Sequence, residues 1–211
     1  LLQVQSLMAT VSAVHDVASA IVATLRSSYG ALTEKPVEDC SFKVAGSGEL
    51  SKAQPDFLGQ SKTTLSLFLY RITLNEHVRQ AAHLPSRTLA QSPLSIDLHF
   101  LLTAWAASAL EEQTILTWAM QQIHARPLLA MESLAAAGWQ AEETVQVLPT
   151  DLAVEDLMRL WDGLEPSYRL SVAYVARVVR VDPADPTQAP RPVLATRFGY
   201  GPVADGTGDR P

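Results

Sequence analysis

The sequence predicts a mixed α/β (α+β) domain: a largely antiparallel sheet of about four or five strands with helices packed on it. Three observations carry this. Residues 168–181 alternate without interruption and are apolar on both faces, over more than twice the usual strand length of about five or six residues. Such a strand needs cover on both sides. Two more long strand patterns occur, at 63–76 and 94–105. Helical stripes of period 3.6 lie between the strands.

In chain order, residues 11–26 place Val14, Val17, Ala18, Ile21, Val22 and Leu25 on one helical stripe. Thr10 or Ser12 is positioned to cap its start, and Gly30 to stop it. Residues 41–45 read as a short strand, broken at Gly46-Ser47-Gly48 and followed by a polar loop. Residues 63–76 set Phe68, Tyr70, Ile72 and Leu74 on one face and Leu65, Leu67 and Leu69 on the other, which turns polar at Arg71, Thr73 and Asn75. Residues 77–93 form a loop long enough to imply binding or mobility. Residues 94–105 alternate Ile96, Leu98, Phe100 and Leu102 with Asp97, His99, Leu101 and Thr103.

Residues 111–126 form a helix with acidic Glu111 and Glu112 at its start and Arg126 at its end, stopped by Pro127. A further short helix is expected over 128–137, a strand over 144–148, and an amphipathic helix over 153–164. After Asp182 the composition turns rich in Pro and Gly, which predicts a domain over 10–182 and a tail over 183–211. Within that tail, residues 193–198 are extended enough in character to pair with a sheet edge.

Composition excludes several classes. With 211 residues, 47% hydrophobic and 18% charged, the chain can bury a full core without disulfides or metals. Net charge is −6 and no basic run occurs, so a nucleic-acid surface is not expected. No apolar stretch approaches the roughly 20 residues of a membrane span. The opening residues lack the positive charge that precedes a secretory apolar run, which predicts no signal peptide. Cys40, the lone cysteine, stands beside Asp39 without activating cations and reads as a passive strand residue in a reducing compartment.

No catalytic or cofactor-binding pattern emerges. The five histidines show no metalloprotease spacing, and His77 and His83 read as solvated loop residues. Gly46-Ser47-Gly48 lacks the context of a nucleophile turn or a phosphate loop. Glu111-Glu112 and Glu142-Glu143 are adjacent, so their side chains diverge. Asp97 and His99 share a strand face. They are either a hydrogen-bonded pair at an interface or sheet edge, or the core of a small hydrolase. The tryptophans read as anchors of helix to sheet, with Trp161 alternatively an interface anchor. Arg177, amid apolar neighbours, is expected to need a carboxylate or carbonyl partner.

Three segments together resemble a known family. They are residues 69–77 (LYRITLNEH) with Arg79; residues 93–105 (PLSIDLHFLLTAW); and the helix containing Glu112, Ile115, Leu116, Trp118, Ala119 and Met120, with Leu160-Trp161 and residues 168–174. Their order and spacing are similar to the tail-terminator, or cap, proteins of phage-tail-like extracellular contractile injection systems. The sequence departs from that pattern at Ala153, where a small hydroxyl residue usually caps the helix, and at Arg79-Gln80-Ala81, where an Asn-containing turn is usual.

The resemblance implies a structural protein with a tail-terminator-like fold, no reaction and no cofactor. It implies a six-copy ring at the tail end opposite the baseplate, partnered by sheath protein, inner tube protein or both. Assembly would be cytoplasmic, within a particle that can be released. The residues expected at subunit contacts are Arg71, Asn75, Glu76, His77 and Arg79, with Arg177 and Arg180 on the long strand. A soluble cargo or assembly adaptor is the other non-enzymatic alternative.

Overall fold

The computed structural model describes residues 12–51, 63–75, 94–129, 144–164 and 167–181. In chain order these form α1 (Ala13–Gly30), β1 (Cys40–Ala45), α2 (Ser47–Leu50), β2 (Thr63–Leu74), β3 (Leu94–Trp105), α3 (Ala109–Ala125), β4 (Leu128–Leu129), β5 (Val145–Pro149), α4 (Val154–Asp162) and β6 (Ser171–Val181). The strands make one six-stranded sheet in the order β1-β2-β3-β6-β5-β4. Only β1 and β2 run parallel among the described strands. The mixed, largely antiparallel sheet expected from the sequence is therefore present, with six strands in place of about four or five, and the loop at 77–93 and the tail at 183–211 lie outside the described residues.

The central strands obey the two-sided cover that their patterns demand. On the first face, Leu65, Leu67, Ile96, Leu98, Phe100, Leu102, Tyr174, Ala176 and Val179 meet the buried stripes of α1 and α3 in one core. Phe100 and Leu98 are fully buried there. Tyr29 of α1, Phe42 of β1 and Trp118 of α3 pack as an aromatic triangle with centroids 5.1 to 5.9 Å apart. The Tyr29 hydroxyl donates to the Val37 carbonyl, so its polar end is satisfied inside that core.

The second face is covered more sparingly. Leu101, Trp105 and Ala173 of the sheet meet Leu50 of α2 and Trp161 of α4, with Phe68, Tyr70, Leu157 and Leu164 alongside. Trp105 and Trp161 stack edge to face at 5.9 Å. Trp161 thus anchors a helix to the sheet. Buried hydroxyls on this face pair across strands: Trp105 Nε1 donates to Ser66 Oγ at 2.8 Å, and Thr103 and Ser171 share a 2.9 Å bond. Unpaired, each would cost about 1–3 kcal/mol.

Several local expectations need correction. Residues 128–129 are a strand, not the start of a helix. The Val147 N–H donates to the Pro127 carbonyl at 2.7 Å, which draws the chain into the ladder beside β5; helical periodicity cannot register that partner. Gly46-Ser47-Gly48 does not simply break the chain. A single helical turn follows Gly46, whose N–H donates to the Glu49 carboxylate at 2.8 Å while Leu50 buries itself on the second face. The long strand begins at Ser171 instead of Tyr168, because the Leu170 N–H is taken by Glu112 of α3. Ser12 occupies the cap position of α1, but its hydroxyl donates to Asp16 and caps no backbone group.

The outer strand β1 is held and blunted. Arg26 of α1 donates to the Phe42 carbonyl at 2.7 Å, and exposed Lys43 discourages edge pairing. Asp39, at φ 51°, turns the chain into β1 through the left-handed region that Asp tolerates better than most residues.

Two predictions follow from this packing. Trp161→Ala should cost about 3–5 kcal/mol in denaturant unfolding, because it empties the α4 anchor. Trp161→Phe should cost far less, because Nε1 is buried without a hydrogen-bond partner and the phenyl ring removes that orphan donor. Burial also pushes the Cys40 thiol up to about 12 from an ordinary value of 9.0. An unfolded chain releases that proton earlier, so this contribution to stability is complete below pH 9 and is lost as pH rises towards 12. Alkylation of native protein at pH 8 should accordingly be slow, and fast once the chain is denatured.

Candidate subunit-interaction surface

Beyond the reach of α4, the second face changes from apolar to polar at two irregularities of the ladder. The β2–β3 register shifts between Leu69 and Arg71, and the β3–β6 register shifts between Ile96 and Leu98. Such bulges bend strands and re-aim side chains. Tyr70 still packs on the second-face cluster, with its ring 6.0 Å from that of His99. Past it, Arg71 and Arg177 are exposed, while Thr73, Asn75, Asp97 and His99 are half-buried.

Cross-strand pairing assembles these residues. Arg71 is opposite His99 and Thr73 is opposite Asp97 on β2 and β3. The Thr73 hydroxyl and His99 Nε2 lie 2.9 Å apart. Asn75 Nδ2 donates to both Asp97 carboxylate oxygens, at 3.1 and 3.2 Å. On the other side His99 is opposite Val175 of β6, two residues before Arg177. Burial holds the His99 imidazole below its ordinary value; the Arg71 guanidinium opposes its protonation further, Asp97 partly offsets that, and Arg177 adds a lesser opposition. Among the described residues the patch therefore presents two exposed guanidiniums, an imidazole biased towards its neutral form, and the Asp97 carboxylate that accepts from Asn75.

Most of the expected contact residues that can be described converge here. Arg71, Asn75 and Arg177 share the patch. The Arg180 backbone pairs with Ser95 of β3 at the same end of the sheet. Glu76, His77 and Arg79 lie outside the described residues. Arg177 does not need the buried partner expected from its apolar neighbours, because α4 does not extend over that end of β6 and the side chain reaches solvent. Asp97 and His99 each bond a β2 residue, Asn75 and Thr73, in place of forming a relay with each other. Thr73 was visible in the sequence only as part of a polar alternation, since its partner lies 26 residues away.

The first face at this end is also uncovered: Ile72, Leu74 and Leu94 are 51%, 54% and 51% exposed. Among the described residues no group of three or more His, Cys, Asp or Glu is placed to hold a metal. No described helix is long and apolar enough to cross a membrane. An open depression of about 420 Å³ on the outer side of α3, lined by residues such as Leu110, Gln113 and Gln121, lies away from the patch and gathers no ionisable group.

The fold of this domain has solved counterparts. The fold matches a cryo-EM structure of an extracellular contractile injection system, the PVC sheath/tube terminator in extended state, at TM-score 0.57 and 23% identity over 94% of this chain. It also matches the anti-feeding prophage cap, a tube terminating cap, at TM-score 0.55 and 16% identity over 88% of this chain. The chain spans 65% and 61% of those two chains. No curated protein matches. The family model described as the Pvc16 N-terminal domain matches residues 16–195, and the chain belongs to that family. The resemblance to tail terminators drawn from residues 69–77, 93–105, the 112–120 helix, Leu160-Trp161 and 168–174 is thus borne out.

The electrostatics of the patch are testable by NMR titration of His99. Its midpoint should fall below the ordinary imidazole value of 6.5. Arg71→Gln should raise that midpoint by removing an opposing charge. Asp97→Asn should lower it by removing the attraction that favours the imidazolium.

Proposed function

We propose that this chain is a structural cap of a contractile, phage-tail-like injection system. Six copies form a ring at the tail end opposite the baseplate, where the ring ends and locks the sheath, the inner tube or both. The carrying observation is the fold match over 94% of the chain to a protein described as a sheath/tube terminator. The second match, to a tube terminating cap, points the same way.

The physical features fit a cap. A closed ring requires heterologous contacts, in which one surface meets a different one on the next copy. The uncovered end of β2, β3 and β6 supplies one such surface, with Arg71, Asn75 and Arg177 exposed or half-buried upon it. Individual contacts on sheath or tube can be weak, because six linked copies multiply them. In this proposal residues 10–182 form the terminator domain and 183–211 a tail, with Glu76, His77, Arg79 and Arg180 adding to the contacts. The protein performs no reaction, needs no cofactor, and touches neither nucleic acid nor membrane. It assembles in the cytoplasm and remains part of the particle.

Electron microscopy of particles tests this directly. Loss of the chain should give tails of uneven length, or with frayed ends, that lack a terminal ring. Particles of normal, uniform length with an intact end would overturn the proposal, as would density for this chain at the baseplate.

A further inference from the structure

We infer that neighbouring copies join head to tail by electrostatics: the Arg71–His99–Arg177 patch of one copy receives the acidic turn Glu34–Asp39 of the next. This rests on the ring proposed above and names the contact that closes it. The patch carries two exposed guanidiniums, and neither makes a hydrogen bond or ion pair with a described residue. Burial and both arginines hold His99 towards its neutral form, so the positive charge is concentrated on the arginines. Beside them the patch holds one carboxylate, Asp97, so among its described residues two guanidiniums face a single anion and the net charge is positive, which an incoming anion offsets. A carboxylate is the natural occupant, since guanidinium binds it through paired hydrogen bonds.

The same chain offers carboxylates in the complementary place. Glu34, Glu38 and Asp39 are exposed on the turn between α1 and β1. The only cation among them, Lys35, is folded back over the Tyr29 ring, 5.7 Å from its centroid. The turn is backed by a fixed frame: Val37 is buried, its carbonyl is held by the Tyr29 hydroxyl, and Asp39 leads directly into β1. It therefore presents its charge with little flexibility to lose on contact.

The two surfaces cannot meet within one copy. The turn enters β1 at Cys40, opposite Thr63, while the patch begins at Arg71 on the same strand β2. At roughly 3.3 Å per residue these points stand about 26 Å apart. Opposite charges fixed at opposite ends of one sheet permit a heterologous contact, and such a contact between identical copies closes into a ring when its rotation permits. Identical patches facing each other would instead place arginine against arginine, which opposes a two-fold dimer centred on that patch.

Charge reversal with complementation tests this. Arg71→Glu/Arg177→Glu and Glu34→Lys/Glu38→Lys alter exposed side chains, so circular dichroism and thermal melts should match the parent. Each variant alone should associate at least about tenfold more weakly by analytical ultracentrifugation with sheath present, and leave tails uncapped. Mixed one to one, they should rebuild the ring, because every patch again faces a turn of opposite charge. Normal rings from both single variants would place the contact elsewhere and overturn the inference while leaving the cap intact. Loss without rescue in the mixture would also overturn it, pointing to an acidic segment of sheath or tube as the occupant. Parent protein that forms no ring with sheath would sink the cap proposal itself.

Discussion

Everything in this fold follows from the need to bury both faces of β3 and β6. A strand apolar on both sides is stable only between two layers. Here α1 and α3 cover one face, and α2 and α4 cover part of the other. The unequal cover sets the character of each region. Where both layers are present, Leu98, Phe100, Leu101, Leu102 and Ala176 are buried. Where the second layer stops, the same strands carry His99, Asp97 and Arg177. The boundary between core and surface runs across the strands, at the two register shifts.

The polar margin is organised, and its organisation is cross-strand. Thr73 and Asn75 of β2 hold His99 and Asp97 of β3, so neither titratable group is left without a partner. That arrangement ties β2 to β3 at the margin, with Arg71 and Arg177 exposed beside it. Rigid presentation of a few charges suits an assembly protein, whose contacts are individually modest and gain strength by repetition.

Much of the architecture was legible from local pattern. Periods of 2 and 3.6 located β2, β3, β6, α1, α3 and α4, because each buries a face made of its own near neighbours. The elements that escaped are those defined by distant partners. The Leu128–Leu129 strand exists because β5 lies beside it, and the α2 turn because Leu50 reaches the second-face core. The site divided in the same way. Arg71, Asn75 and Arg177 stood out as polar residues on long strands, but their convergence depends on a register that joins positions more than 70 residues apart.

By itself, then, the sequence determined the class of fold, the two-faced character of the long strands, and the family. Each is carried by residues close together in the chain, or by the order of short segments along it. Tertiary structure alone decided the order β1-β2-β3-β6-β5-β4, which face each helix covers, and where that cover ends. The physical reason is that alternation marks a side chain's face without saying what will lie over it. Val175 and Arg177 occupy the same face of β6, two residues apart; one is buried and the other exposed, and only the neighbouring layers distinguish them.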